Sequence, residues 1–325
     1  MSTETAARPR AGTLGARAQG LLGQNGALIA LVLLGIILAF LSPVFLSPQN
    51  LLNIGVQAAV VAILAFGQTF VIVSAGIDLS VGSVAALGGI VTGYTASTMG
   101  VSPILAIILG VLTGIACGFV SGVLVAYGRL PAFIATLAML SIARGLALVL
   151  SGGVPLNQPP AVAALGQTIG GWLPVPVVIM VVFGLLAAFI LNRTYPGRAM
   201  YAIGGNEEAA RLSGINVRRQ QLVIFSLAGL YSAVAGLVLA GRLASGQPQA
   251  ATGYELDSIA AVVIGGASLA GGQGRAFGTF VGALVLAVIR NGLNLLNVSS
   301  FWQQVAIGVV IALAVLTDTL RRRRT

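Results

Sequence analysis

The sequence predicts an all-α protein that crosses a membrane about ten times. Of its 325 residues, 57% are hydrophobic and only 7% are charged, and the mean hydropathy is +1.01. Average soluble chains carry about 25% charged residues, so this chain lacks the polar groups to cover a soluble fold. Several uncharged runs reach about 20 residues, enough for a helix to cross about 30 Å of hydrocarbon.

Hydropathy and helix-breaking residues together place the spans along the chain. We expect a single transmembrane domain over residues 27–320, between an N-terminal tail (1–26) and a basic C-terminal tail (321–325). No small-residue cleavage site is evident after the first apolar stretch, so we read it as a span rather than a signal peptide. The predicted spans cover approximately residues 27–45, 51–74, 78–97, 101–125, 131–151, 174–192, 220–241, 255–272, 277–295 and 302–320.

The arginines predict the orientation. With the N-terminus in the cytoplasm, most of the 17 arginines fall in cytoplasmic loops and tails, and only Arg242 falls clearly outside. Both termini are therefore predicted to be cytoplasmic. The tail Arg321–Arg324 is a topology anchor with some attraction to anionic membrane lipid. This loop-by-loop distribution argues against nucleic acid as the partner of the net charge of +10.

Missing residue types exclude most enzyme chemistry. The chain has no lysine for a Walker A loop or a Schiff base, and no histidine for an imidazole base or metal ligand. Its single cysteine, Cys117, allows neither an internal disulfide nor a cysteine metal cluster, so no metal site is predicted. Transport and scaffolding are the function classes that remain.

Two segments share a pattern that indicates an internal repeat. "GIDLSVGSVAALGG" (Gly76–Gly89) and "GYELDSIAAVVIGG" (Gly253–Gly266) have a glycine, an acid, a leucine and a final Gly-Gly at equal offsets. The first begins span three from the cytoplasm and the second begins span eight from outside. The repeat is therefore inverted, with spans two to five matching spans seven to ten. Chance likeness between Gly- and Ala-rich spans is the alternative.

Each repeated segment is followed by glycines spaced four residues apart. Such glycines line one helical face and let a neighbouring helix approach closely. We interpret them as helix-packing positions: Gly110, Gly114, Gly118, Gly122, Gly274, Gly278 and Gly282.

Polar residues near membrane depth are candidates for a translocation pathway, because they are costly there. The candidates are Asp78, Ser80, Glu255, Asp257, Asn291 and Asn294. The acids at span starts have a second interpretation as helix N-terminal caps. Arg144 and Arg290, within spans, need partners or water unless they snorkel to the interface.

A polar loop over residues 193–219 predicts a short capped helix. In "GGNEEAARLSG", Asn206 is placed to cap, Glu207 and Glu208 occupy the positive end, and Arg211 follows Glu207 by four residues. Gly214 is placed to end the helix. A docking element on the cytoplasmic face is one interpretation, and an ordinary solvated connector is the other.

Several motifs, in order, resemble the ribose-type monosaccharide permeases of bacterial ATP-binding-cassette importers. They are "SAGIDLSVGS", "GRLPAFIATL", "GGNEEAARLSGINV" and "GYELDSIAAVVIGGASLAGGQG", and the resemblance runs from about Asn50 to Asp318. It implies a bacterial inner-membrane subunit of the vitamin-B12-type importer permease fold. It also implies three partners: a second copy of the chain, a cytoplasmic ATPase and an extracytoplasmic sugar-binding protein.

The resemblance further implies that the capped helix is the coupling helix, which seats in the ATPase. Its residues are Gly205, Asn206, Glu207, Glu208, Ala209, Ala210, Arg211, Leu212 and Gly214. ATP and Mg would be bound by the partner, and no cofactor by this chain. Ribose is the first expectation, followed by xylose, galactose and rhamnose.

Three other classes of membrane protein are alternatives to this one. An ion-coupled secondary sugar transporter would use Asp78 as its proton or sodium site. An intramembrane aspartyl protease is disfavoured because Asp78 and Asp257 begin spans on opposite sides and no Gly-x-Gly-Asp segment occurs. A passive channel would have no use for an ordered docking loop.

Overall fold

A computed structural model describes residues 14–322, with side chains from residue 26 onward except at 314 and 317–322. The tail residues 1–13 and 323–325 lie outside the described part. The helices are α1 (Leu14–Leu41), α2 (Pro48–Val73), α3 (Val81–Ser97), α4 (Pro103–Ala126), α5 (Ala132–Ser151), α6 (Pro160–Ala163), α7 (Val175–Arg193), α8 (Tyr195–Gly205), α9 (Glu207–Leu212), α10 (Val217–Leu243), α11 (Tyr254–Ile264), α12 (Ala276–Leu295) and α13 (Ser300–Arg322). A 3₁₀ turn covers Ala164–Gly166. Two short antiparallel pairs join β1 (Leu156–Asn157) to β4 (Ser245–Gly246) and β2 (Thr168–Ile169) to β3 (Leu173–Pro174).

Within this described part, 6 helices are long and apolar enough to cross a membrane: α2, α4, α5, α7, α10 and α12. Shorter apolar helical stretches cover Gly26–Leu41, Val81–Ser97 and Ser300–Leu313. The all-α polytopic class expected from the sequence is confirmed at this level. The remaining predicted span, residues 255–272, is not one helix.

That predicted span is split by glycine. α11 has 11 residues, so it extends about 16 Å, roughly half the thickness of the hydrocarbon layer. The loop 265–275 follows, and Gly266, Gly271 and Gly272 have φ values of +89°, +88° and +73°. These left-handed conformations suit glycine and end a helix, so the apolar run continues without its helical hydrogen bonds.

Two helices form the centre of the bundle. The apolar window of α2 is 89% buried and that of α10 is 67% buried, whereas that of α7 is only 22% buried. α10 packs against α2, α3 and α4, and α2 also contacts α7, α11 and α12. The outer faces of α4, α5 and α7 expose leucine, isoleucine, valine and phenylalanine, as expected of surfaces that meet lipid.

Prolines and caps fix where several helices begin. α2 starts at Pro48, and the preceding Ser47 side chain accepts a hydrogen bond from the Asn50 amide (3.3 Å). α4 starts at Pro103, and α5 follows Pro131. Proline suits the first turn because its missing N–H has no intrahelical partner there.

The predicted packing glycines lie at two helix crossings. On α4, Gly114, Gly118 and Gly122 face the backbone of α10, and Gly110 faces α3. A Cβ at Gly118 would overlap the Phe225 carbonyl. On the second series, Gly278 and Gly282 face the end of α11, and Gly274 lies against Val73 and Ala267.

Candidate functional site

The polar stretch between α7 and α10 folds into two short helices at one end of the bundle, the end at which α2 finishes and α10 begins. Sequence reasoning missed α8, which follows α7 with only Thr194 between them. α9 lies where the short helix was expected. The Asn206 Oδ1 accepts from the Ala209 amide (2.9 Å), and Gly214 has the left-handed φ of +86° after the helix ends.

The two faces of α9 differ. Ala210 is buried and clusters with Ile203 and Val217, which fixes the helix to its own bundle. The opposite face is exposed from Gly205 to Ala209 and again at Arg211 and Leu212. Arg211 pairs with Glu207 (3.0 Å) and Glu208 (3.5 Å), and Leu212 is 81% exposed. Leu212 is therefore an apolar side chain that has little contact within its own chain and lies beside residues of both charges.

α8 is joined to the core through loop 265–275. The Gly272 amide donates to the Val73 carbonyl at the end of α2 (2.8 Å), and Gly204 packs against both residues. The Tyr201 hydroxyl donates to the Gly274 carbonyl (2.7 Å), and burial raises the pKa of Tyr201. The α8–α9 unit, α2 and the α11–α12 loop therefore meet at one place.

Asp78 lies in a non-helical segment between α2 and α3. Its buried carboxylate Oδ1 accepts from the Ser80 amide (2.8 Å) and the Ser80 hydroxyl (2.6 Å). With its amide oriented to suit both partners, Gln68 donates to the Asp78 carbonyl and accepts from the Asp78 amide, each at 3.1 Å. Side chains thus satisfy backbone groups that no helix satisfies, as required where a helix is interrupted at membrane depth.

The second acidic pair begins α11. Glu255 accepts from the Gly253 amide through Oε1 (3.2 Å), and buried Asp257 pairs with Arg290 of α12 at 2.5 Å. The Arg290 guanidinium also lies 5.8 Å from the centre of the Tyr254 ring. Arg290 is therefore paired within the bundle rather than extended to an interface.

The starts of α3 and α11 touch each other. A Cβ at Gly82 would meet the Ala251 carbonyl and the Glu255 carboxylate, so both repeated segments contribute to one region of the bundle. The chain before α11 is held there by Arg144 of α5, which donates to the carbonyls of Pro248 (2.5 Å) and Ala250 (3.0 Å). A half-buried arginine thus hydrogen-bonds to the backbone of the non-helical segment before α11, just as Gln68 hydrogen-bonds to the backbone of the segment before α3.

The two predicted asparagines lie apart from this region. Asn291 is buried and exchanges amide hydrogen bonds with Asn50 of α2, at 3.0 and 2.8 Å. Asn294 is exposed and accepts from Gln303 of α13 (2.7 Å). Both contacts join helices.

We expect Asn291→Ala to lower the free energy of unfolding by about 1–3 kcal/mol, because it leaves the Oδ1 of buried Asn50 without its donor, while the Asn50 Nδ2 still donates to the Phe45 carbonyl. The apparent melting temperature in detergent measures this. Asn294→Ala is the matched control and should change it little, since that contact is open to solvent. Equal shifts in the two variants would contradict the structural role of the buried pair.

A cavity of about 200 Å³ lies between α2, α10, α11 and α12, in the half of the bundle away from α8–α9. Its lining combines polar side chains with small apolar ones: Gln57, Ala58, Val61, Arg242, Tyr254, Asp257, Ala283, Leu286, Ala287 and Arg290. Of the predicted pathway residues, Asp257 alone lines it. Gln57, Arg242 and Tyr254 were missed, although Arg242 stood out as the arginine placed clearly outside.

Neither Asp78 nor Glu255 belongs to a metal cluster. Across the described residues, no group of three or more His, Cys, Asp or Glu side chains is placed to hold a metal ion.

Comparison with known proteins identifies the family. The model for "Branched-chain amino acid transport system / permease component" matches residues 50–315. The chain is 48% identical to the ribose import permease protein of Escherichia coli (strain K12), covering 93% of this chain and 95% of that one. It is 48% identical to the ribose import permease protein of Bacillus subtilis (strain 168), covering 92% and 94%. It is 36% identical to the xylose transport system permease protein of E. coli (strain K12), covering 86% and 87%. No solved structure matches the chain.

The matched range includes both repeated segments, α8–α9 and the cavity, so the features described above all lie inside the family's common region. The chain therefore belongs to the branched-chain amino acid transport system permease family, and it is a multi-pass membrane transport subunit rather than an enzyme.

Proposed function

We propose that the chain is the membrane permease of an ATP-driven importer that takes up a monosaccharide, with ribose as the first candidate. The observation that carries this proposal is the 48% identity with ribose import permeases over 93% of the chain. The lower identity with a xylose transport permease, 36%, favours ribose over xylose. The family description names amino acids, but the relatives that match 93% and 86% of the chain are named as ribose and xylose permeases.

The partners follow from this function. The chain carries no phosphate-binding loop, so ATP and Mg would be bound by a cytoplasmic ATPase. α9 is the proposed coupling helix, because its inner face is packed and its outer face is exposed. An extracytoplasmic binding protein would deliver the sugar, and a second copy of the chain would complete the membrane part. The apolar outer helices would contact lipid.

The proposed topology has about ten spans with both termini in the cytoplasm of a bacterial inner membrane, in the vitamin-B12-type arrangement. α11 and loop 265–275 together would make the eighth crossing, since broken helices occur where backbone is buried in protein. Transport would proceed by alternating access, with the ATPase shifting α8–α9 between two positions.

The translocation pathway is proposed to pass the region where α3 and α11 begin. Glu255, Asp257 and the Asp78–Ser80 pair are the nearest of the predicted polar residues. Asn291 and Asn294 are proposed to support the helices around it, because each is engaged in a contact between helices.

Uptake of radiolabelled ribose tests the proposal. The protein is reconstituted in liposomes with the ATPase and binding protein encoded beside it. We expect uptake that requires ATP and continues when ionophores collapse the proton and sodium gradients, and we expect unlabelled ribose to compete better than xylose. Uptake that stops with the ionophores and ignores ATP would instead favour the ion-coupled alternative through Asp78.

A further inference from the structure

The cavity between α2, α10, α11 and α12 is lined by polar side chains, some of which make no contact that stabilises the bundle. Asp257 and Arg290 neutralise each other. Gln57 and Arg242, by contrast, make no side-chain hydrogen bond or ion pair with any residue that the structure describes, although both are half-buried and line the cavity. A half-buried arginine at the outer end of α10 and a half-buried amide on α2, both without such partners, indicate a water-accessible space that can hold a polar solute.

The cavity cannot be an ordinary lipid-facing groove. Gln57 lies in the third turn of α2, and Asp257 and Arg290 are turned inward from the short helix α11 and from α12. Hydrocarbon would leave the side chains of Gln57 and Arg242 without hydrogen bonds, at a cost of several kcal/mol for each unsatisfied group. Water or a hydrogen-bonding solute removes that penalty.

The lining favours a solute with several hydroxyl groups. Gln57 offers both a donor and an acceptor, Arg242 offers donors, and Asp257 has a second oxygen besides the one bonded to Arg290. The hydroxyls of a sugar donate and accept together, so they match such a mixed set. An apolar solute would leave Gln57 and Arg242 without hydrogen bonds.

The volume of the cavity further restricts which solutes fit. Cavities for drug-sized ligands occupy about 300–1,000 Å³. The space here is about 200 Å³, which suits one monosaccharide and is small for a disaccharide. Small side chains at Ala58, Ala283 and Ala287 leave this room, and Tyr254 and Leu286 provide apolar surface for the C–H face of a sugar ring.

We propose that this cavity is a resting site for one monosaccharide on its way through the permease, and that Gln57 and Arg242 determine which sugar is accepted. The inference rests on the proposed function, and it adds the site and the residues that select the solute. Asp257 and Arg290 position the wall of the site, because their mutual bond holds α11 against α12. A passing solute should be held weakly, since tight binding would slow its release.

The experiment compares Gln57→Ala and Arg242→Gln with the wild-type chain, each assembled with its ATPase and binding protein in liposomes. These two side chains make no contact that folding requires, so normal amounts of complex are expected. Ribose uptake should fall by up to about tenfold for each variant, because one or two hydrogen bonds to the solute are lost. The ratio of ribose to xylose uptake should change, while the amount of ATPase that co-purifies with the permease should stay at the wild-type level.

Asn53→Ala is the matched control, because Asn53 is exposed on the same helix one turn before Gln57 and outside the cavity lining. It should leave both uptake and selectivity unchanged. Wild-type uptake and selectivity in both cavity variants would overturn the inference and leave the proposed function standing. Absence of ribose uptake by the wild-type importer would instead overturn the proposed function.

Discussion

Leu212→Asp is expected to abolish ATP-driven uptake while the permease remains folded in the membrane. Leu212 ends α9 with 81% of its surface exposed, so it makes almost no contact within its own chain. If α9 seats in the ATPase, this leucine is the apolar anchor that becomes buried, and a carboxylate there would be buried without a partner. A central apolar contact of this kind contributes about 2 kcal/mol or more to binding.

The measurement is twofold: sugar uptake, and the amount of ATPase that co-purifies with the tagged permease. Leu212→Met keeps the apolar side chain and serves as the control, with both values near wild type. Glu208→Arg reverses a charge on the same exposed face and should weaken co-purification as well. Normal uptake and normal co-purification in Leu212→Asp would show that α9 is a connector and not the docking element.

Gly118→Ala is expected to destabilise the permease, whereas Gly145→Ala is expected to stabilise it. A Cβ at Gly118 would overlap the backbone of Phe225 on α10, and backbone cannot turn aside as a flexible side chain would. The crossing of α4 and α10 would have to separate, at a cost at or above the upper end of about 1–3 kcal/mol. A Cβ at Gly145 of α5 would have no neighbour within 4 Å, so the alanine only improves helix propensity, by up to about 1 kcal/mol.

Melting temperatures of the two purified variants, measured in the same detergent, give the comparison. The two changes are chemically identical, and both lie in the interior of a helix. A difference in sign therefore reports the space beside each glycine. A neutral result at Gly118 would mean that α4 and α10 separate freely.

Sequence patterns predicted the helices and their ends better than they predicted the environment of each polar residue. Asn206 and Gly214 carry local signals, because a cap and a left-handed residue act within a few positions of the chain. The sequence analysis predicted no helix where α8 lies, although Pro196 is in its first turn and proline fits the first turn of a helix.

Contacts between distant segments carry no such signal. Arg290 and Asp257 are 33 positions apart, and Arg144 reaches carbonyls more than 100 positions away. Every residue has a backbone carbonyl whatever its side chain, so no sequence pattern identifies the partner of Arg144. Gln57 was overlooked for a similar reason, since one amide in a long apolar helix has many possible roles until its neighbours are placed.

The equal spacing of the repeated segments also concealed a difference. Asp78 and Glu255 occupy equal offsets, but Asp78 precedes α3 in a non-helical segment whereas Glu255 lies in the first turn of α11. The helices begin at different points of the shared pattern. The first segment is fixed by Gln68 and the second by Arg144, so the same offsets give unlike surroundings.

The contact of Gly204 with Val73 and Gly272 has a mechanical consequence. These backbones touch with no side chain between them. The contact therefore leaves no free space, and a displacement of α8 cannot be absorbed there. The displacement of α8 must then move α2 or loop 265–275. That loop is preceded by α11, a helix about 16 Å long. The end of α11 away from this loop carries Tyr254 and Asp257, so we expect a displacement of α8 at one face of the protein to change the shape of the cavity near the other face.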